Sequence, residues 1–395
     1  MHPTRTTHLL ILSLLLSFAL GPQVNGQKKE RRKFFPINGN TAFIDINGQV
    51  VISGSQPELL AEVHRISSSM GSFRERLEES TWIRFDEFSE GLAAAGWPLC
   101  PMCRNPQWVN GFIDETGKLV IPPKGPYARY GSFHEGLTQY SDRGWGFIDR
   151  AGRIVIPARF HDASDFSEGL SFVRLTEKSK FGYINQRGAL VIPYQFVWAS
   201  AFHEGLAAVA LSKGNLGFIN KKGKMVLRSN EWLDVSDFSE GLARVQVEVT
   251  DNNVYRGYQD RKYGFIDRTG KFVIPPRFYR VQEFSEGRAL FFQTGKSHGF
   301  IDSKGQVVIK PEFVEAKSFS EGLAAAAINA GDDKKLWGYI NREGTWIIKP
   351  QFQHVNSFEG GLAAVNCDEY DRNCRAYVDT SGKFRWQQTK TTKSD

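Results

Sequence analysis

The sequence predicts an all-β tandem array of about eight three-stranded β-meander units, and three observations predict it. The phrase Gly-Phe-Ile-Asp, or its Tyr and Asn variants, begins at Gly111, Gly146, Gly182, Gly217, Gly264, Gly299 and Gly338, at spacings of 35, 36, 35, 47, 35 and 39 residues. A second phrase, Phe-x-Glu-Gly-Leu, alternates with it at Phe88, Phe133, Phe166, Phe202, Phe238 and Phe319, with variants at Phe284 and Phe358. The composition fits such an array, because 30 Phe supply packing and 38 Gly supply turns in a chain of 395 residues.

One central copy shows why the unit is β. Leu206–Leu211 and the Gly217–Asn220 phrase are strand candidates around a turn at 212–215, and Lys224–Leu227 is a third strand. The turn before that third strand is the best-defined chemistry in the chain. Asp or Asn is followed three residues later by Gly at Asp114/Gly117, Asp149/Gly152, Asn185/Gly188 and Asn220/Gly223, and again at Asp267/Gly270, Asp302/Gly305, Asn341/Gly344 and Asp379/Gly382. An Asp or Asn side chain at the first turn position caps backbone amides, and Gly supplies the left-handed residue that returns the chain into the partner strand.

Ile-Pro-x-x-Phe follows the third strand at Ile156, Ile192 and Ile274, and Ile-Lys-Pro-x-Phe replaces it at Ile309 and Ile348. Proline has no amide for a ladder, so it is expected to end the strand, with the Phe packing beneath the sheet. Gly in Phe-x-Glu-Gly-Leu is expected to be left-handed. The repeated Glu is read as a structural contact between units, to backbone amides or a neighbouring cation, in preference to an acidic binding row.

The repeated array spans 40–384, with a helical insertion at 53–84 where Pro57–Ile66 is spaced like a helix, and a hairpin insertion at 246–262. Weaker copies of the first phrase open and close it at Ala42 and Ala376. An open or curved solenoid-like arrangement is expected. A closed β-propeller is the alternative, and its usual blade of four strands and about 40–45 residues is slightly longer than this period.

Residues 1–26 have the order of a signal peptide, with an apolar run from Leu9 to Leu20 that is short of the roughly 20 residues needed to span a bilayer. A basic leader at 27–39 and a polar tail at 385–395 flank the array. The expected location is periplasmic or secreted, with no stable membrane insertion after signal cleavage. Loss of 1–26 removes Arg5 and no acid, so the formal charge of +7 becomes +6. Basic residues are scattered through turns instead of forming a stripe, and a nucleic-acid partner is not expected.

The phrases Trp145-Gly-Phe-Ile-Asp149, Trp337-Gly-Tyr-Ile-Asn341, Ile-Pro-x-x-Phe and Phe-Ser-Glu-Gly-Leu-Ala resemble the WG-repeat family of bacterial β-repeat proteins, also called KWG repeats. The namesake Trp stands only at those two places; Asn110, Phe181, Leu216, Tyr263 and His298 replace it elsewhere. The resemblance implies a β-rich scaffold with a role in protein interaction and no common enzymatic activity. It brings no catalytic residues.

Function is therefore sought where the repeat breaks. Tyr255, Arg256 and Tyr258, in the second insertion, are the partner-contact candidates. Cys100, Cys103, Cys367 and Cys374 form two local pairs, which in an exported chain favour disulfides. A four-Cys zinc site would need the ends of the array to meet, and a redox Cys-x-x-Cys would want a βαβ context. His134 and His203 occupy the Ser slot of Phe-x-Glu-Gly-Leu, which varies between copies. No phosphate-binding loop, nucleophile elbow or dinucleotide fingerprint is present, so neither enzymatic activity nor a cofactor or metal is expected. The predicted function is an exported scaffold binding a protein partner, with an envelope or extracellular glycan as the alternative ligand.

Overall fold

A computed structural model describes residues 33–37, 40–69, 83–98, 108–123, 129–249, 261–293, 297–331, 334–366 and 376–388. They form nine antiparallel sheets, each contiguous in sequence, arranged as the blades of a β-propeller. The blades span residues 35–53, 84–121, 137–160, 162–196, 198–229, 232–278, 280–313, 315–352 and 362–387, and are numbered 1 to 9 here. The all-β repeat array is as expected, and the propeller is the arrangement it takes. The unit count rises to nine because the weak copies at Ala42 and Ala376 each build a sheet of their own.

Six blades have four strands where three were expected. Blade 5 is typical: Trp198–Ala199, Leu206–Ser212, Asn215–Asn220 and Met225–Ser229 run as a simple meander. In blades 2, 4, 5 and 8 the additional strand is only two residues long, too short to show any alternation in sequence, while in blades 6 and 7 it runs Trp232–Ser239 and Arg280–Ser285. Blades 3 and 9 hold their first strand by a single bridge, Tyr130 to Tyr140 and Val355 to Val365.

The Asp turn has the expected geometry. In blade 3 the Asp149 Oδ1 accepts hydrogen bonds from the amides of Ala151 (3.0 Å) and Arg153 (2.9 Å), while Gly152 sits at φ 74° and donates to the Asp149 carbonyl. Asp45 and Gly48 form a ninth copy in blade 1.

Proline does not end the third strand as expected. The strand runs Ile154–Phe160 through Pro157, with Ile156 opposite Phe147 and Phe160 opposite Trp145. Three residues on this strand thus oppose Gly146 alone, a bulge on a sheet edge, where a missing amide costs little. The bulged backbone lies directly over that glycine: a Cβ on Gly146 would stand 2.5 Å from the Ile156 carbonyl oxygen and 2.6 Å from the Ala158 nitrogen. Gly264 and Gly299 meet the same obstruction in their blades. Gly-Phe-Ile-Asp and Ile-Pro-x-x-Phe are therefore two halves of one device. The following Phe160, Phe196, Phe313 and Phe352 are fully buried.

Two further contacts join successive blades. The Phe of Phe-x-Glu-Gly-Leu packs on the aromatic ring of the preceding blade's Gly-Phe-Ile-Asp phrase. Phe43–Phe88, Phe112–Phe133, Phe147–Phe166, Tyr183–Phe202, Phe218–Phe238, Phe265–Phe284, Phe300–Phe319 and Tyr339–Phe358 all have centroids 4.7–5.1 Å apart. Each such pair contributes about 0.5–1.5 kcal/mol beyond the burial of its area.

The second contact is made by the repeated Glu. Glu and Gly both have positive φ in these two-residue turns, for example Glu204 at 53° and Gly205 at 79°. The strained turn aims the carboxylate at the next blade, where it accepts the amide of that blade's own turn glycine. Glu90 binds Gly136, Glu135 binds Gly169, Glu168 binds Gly205 and Glu204 binds Gly241. Glu240 binds Gly287, Glu286 binds Gly322, and Glu321 binds both Gly360 and Gly361. The Glu row is structural, as expected.

Blades 9 and 1 meet differently. Phe35, Ile37, Ala42 and Ile44 share a core with Leu362, Ala364 and Tyr377, and the Tyr377 hydroxyl donates to the Pro36 carbonyl at 2.7 Å. Among the described residues no strand is shared across this seam. Residues 35–37, within the stretch read as a basic leader, form the first strand of blade 1. Helix α1 (Pro57–Ser69) buries Leu59, Val63 and Ile66 against Phe85 and Trp97 of blade 2.

Candidate partner-binding face

The meander alternates its turns between two faces of the ring. The Glu-Gly and Asp-x-x-Gly turns share one face, as their contacts show: Lys221 pairs with Glu168 (2.9 Å) and Arg342 with Glu286 (3.0 Å), each from one blade to its neighbour. Loops between second and third strands, and the connectors between blades, lie on the opposite face. Every long departure from the repeat within blades leaves from this loop face. The strand pairs ending at Pro98/Trp108, Glu248/Arg261 and Val365/Ala376 border residues 99–107, 249–260 and 366–375. Cys100, Cys103, Cys367, Cys374, Tyr255, Arg256 and Tyr258 all lie outside the described residues.

A cleft of about 810 Å³ opens on the loop face where blades 6, 7 and 8 adjoin. Gln246, Arg261 and Tyr263 line it from the strand ends that carry the 250–260 insertion. Tyr279 enters from the connector to blade 7, Arg280, Phe292, Gln293 and His298 from blade 7 itself, Val314 from the connector to blade 8 and Glu315 from the first strand of blade 8.

The three aromatic rings of the cleft are already engaged. The Arg244 guanidinium lies 4.9 Å over the Tyr263 ring and pairs with Glu283 (3.3 Å), while the Tyr263 hydroxyl donates to Asp234 (3.3 Å). Burial, reinforced by the Asp234 charge, holds the Tyr263 phenol above its ordinary pKa, so it is a neutral donor. Lys262 places its ammonium over Tyr279. His298 packs on Phe292 with centroids 4.2 Å apart and faces the Phe313 carbonyl through Nδ1. Burial lowers the His298 pKa, so this imidazole is uncharged at neutral pH.

What remains is a donor-rich, cationic pocket. Among the described residues that line it, Glu315 is the one carboxylate, and it is paired with Lys335 at 2.5 Å. Arg280 is exposed and makes no ion pair among the described residues. The sequence reading missed Tyr279 and Arg280, although a signal existed. They follow the Phe of Ile-Pro-x-x-Phe, a slot filled elsewhere by His161-Asp162, Val197-Trp198 and Val314-Glu315, and so free to vary while the scaffold stays fixed.

The two histidines set aside in sequence have partners across blades. In blades with Ser in that slot, Ser Oγ donates to the carbonyl of the next blade's Phe, as Ser167 does to Phe202 at 2.6 Å. Where His stands instead, it reaches the Asp one residue earlier: His134 Nε2 lies 3.4 Å from Asp165 and His203 Nε2 lies 3.5 Å from Asp237. Burial raises the pKa of both aspartates. The Asp before Phe in the following copy was the available signal.

A row of exposed Trp, the feature that would favour a glycan ligand, is not found among the described residues. Trp97, Trp232 and Trp337 are buried, and among the described residues Trp198 is the one exposed tryptophan, at 43%.

The fold and its loop face define a nine-bladed β-propeller built from repeats, with an irregular, cationic cleft on one side. The chain belongs to the WG containing repeat family, whose model matches residues 111–143, 145–178, 181–213, 217–248, 263–296, 299–330 and 337–370, more than half of its length. No curated protein matches the chain. Among solved structures, it is similar to BamB from Moraxella catarrhalis, at 9% identity and a TM-score of 0.38, over 78% of this chain and 94% of that one. It is also similar to the WD40 β-propeller domain of Doa1, at 12% identity and a TM-score of 0.28, over 62% of this chain and 86% of that one. Likenesses this distant carry no functional argument.

Proposed function

We propose that the protein is an exported, non-catalytic scaffold that holds a protein partner on its loop face, at the cleft between blades 6 and 7. The observation that carries this reading is the position of the cleft. Gln246, Arg261 and Tyr263 in its wall stand on the two strands that lead into the insertion, a place where the chain departs from its repeat while the blade keeps its form. The repeated carboxylates support a non-catalytic role, because they are engaged as joints between blades. Export rests on the N-terminal charge and hydropathy pattern.

The test is a pull-down from envelope extract at low and high salt, with the wild-type chain and a variant lacking 250–260, run beside sedimentation with insoluble glycan. Capture of one defined protein that survives high salt and is lost with the deletion is the expected result. Sedimentation with glycan alone would overturn the reading. For export, the chain recovered outside the cytoplasm should begin near residue 27 on N-terminal sequencing.

A further inference from the structure

We infer that the cleft between blades 6 and 7 recognises an acidic peptide segment, with Arg280 as the group that reads its carboxylate. This rests on the reading that the loop face holds a protein, and adds the chemistry of the bound segment. Charge complementarity argues it first. Arg280 lines the cleft, Lys262 lies beside it on Tyr279, and the opposing Glu315 is neutralised by Lys335. Arg280 is exposed without an ion pair among the described residues, so a ligand carboxylate displaces only water from it.

The aromatic rings argue it next. In a sugar site their faces would be bare for stacking. Here Tyr263 lies under Arg244, Tyr279 under Lys262 and Phe292 against His298, so the rings serve as supports that hold cationic and polar groups in place. Gln246 and Gln293 then matter, because a primary amide both donates and accepts and so matches a peptide bond, whereas phosphate or sulfate oxygens only accept. A pocket of about 810 Å³ holds a few residues of such a segment.

The experiment is selection of random dodecapeptides displayed on phage against the full mature chain, followed by fluorescence anisotropy of the consensus peptide. Binding is compared between wild type and Arg280→Glu, whose exposed position leaves the melting temperature unchanged. Enrichment of Asp or Glu beside an apolar residue, with affinity reduced at least tenfold by Arg280→Glu, is the expected result. Failure to select any peptide, selection without acidic bias, undiminished binding to Arg280→Glu, or binding of polygalacturonate in preference to peptide would each overturn the inference. If the envelope protein captured by wild type is still captured by Arg280→Glu, the scaffold reading stands and the acidic-segment inference alone fails.

Discussion

Glu286 shows how a single side chain both strains and secures the ring. A non-glycine residue at φ 54° costs about 1 kcal/mol. Its carboxylate returns this by accepting the Gly322 amide at 2.8 Å and pairing with Arg342 at 3.0 Å. Burial raises its pKa, but the bonds from Arg342 and Gly322 outweigh burial and leave it below the ordinary Glu value. The sign follows from linkage: a carboxyl that titrates lower when folded contributes stability above the ordinary range near pH 4.5, and that contribution is lost as pH falls through the lowered folded value. Glu168 behaves alike, with burial opposed by Lys221 and Gly205. We expect Glu286→Ala to lower stability at pH 7 by about 1–2 kcal/mol, the solvent-screened worth of a charge-assisted bond. Glu286→Gly, which relieves the backbone, should lose less. Melting curves at pH 7 and pH 3 should show the deficit of Glu286→Ala shrinking in acid; a deficit independent of pH would mean the carboxylate is not the joint.

At the scale of elements, legibility in the sequence followed the range of the physical cause. Turns written within four residues, such as Asp149 to Gly152, were readable because capping and left-handed glycine are local requirements. The bulge was half readable: Pro157 signalled an interruption, but that the strand would continue over Gly146 depends on a neighbour ten residues away. The two-residue first strands of blades 2, 4, 5 and 8 were invisible, since no periodicity fits in two positions. The cleft was hidden for another reason: its walls come from strand ends of three blades and from the connectors between them, each unremarkable alone. Gly299→Ala tests the bulge, because its Cβ would stand 2.6 Å from the Ile309 carbonyl oxygen and 2.8 Å from the Pro311 nitrogen, backbone that cannot swing aside. Urea unfolding should show a loss of about 2 kcal/mol or more. Pro311→Ala, on the sheet edge, should cost less than about 1 kcal/mol. Equal effects would mean that glycine and proline do not form one device.

For the whole molecule, the decisive contact lies between residues 35–44 and 362–377, segments more than 300 residues apart, and no local pattern announces it. A Cβ on Gly48 would overlap the carbonyl oxygen of Arg385 in blade 9, whereas one on Gly214, also left-handed, meets nothing within 4 Å. Gly48→Ala should therefore lower the melting temperature by several degrees more than Gly214→Ala; matching curves would mean that the ring is not closed at this seam. The joints themselves have a direction. Each carboxylate belongs to the earlier blade and each amide to the later one, and the row runs out at blade 9, where Glu359 meets Lys33 (3.5 Å) instead of a turn glycine. Growth of such a gene by duplication would find every internal joint ready to receive one more copy, for the donor and acceptor of each unit fit any neighbour of the same kind. The two ends have no such freedom, because they recognise only each other. Closure of the ring thus hangs on a single unrepeated contact, whatever number of copies stands between the two ends.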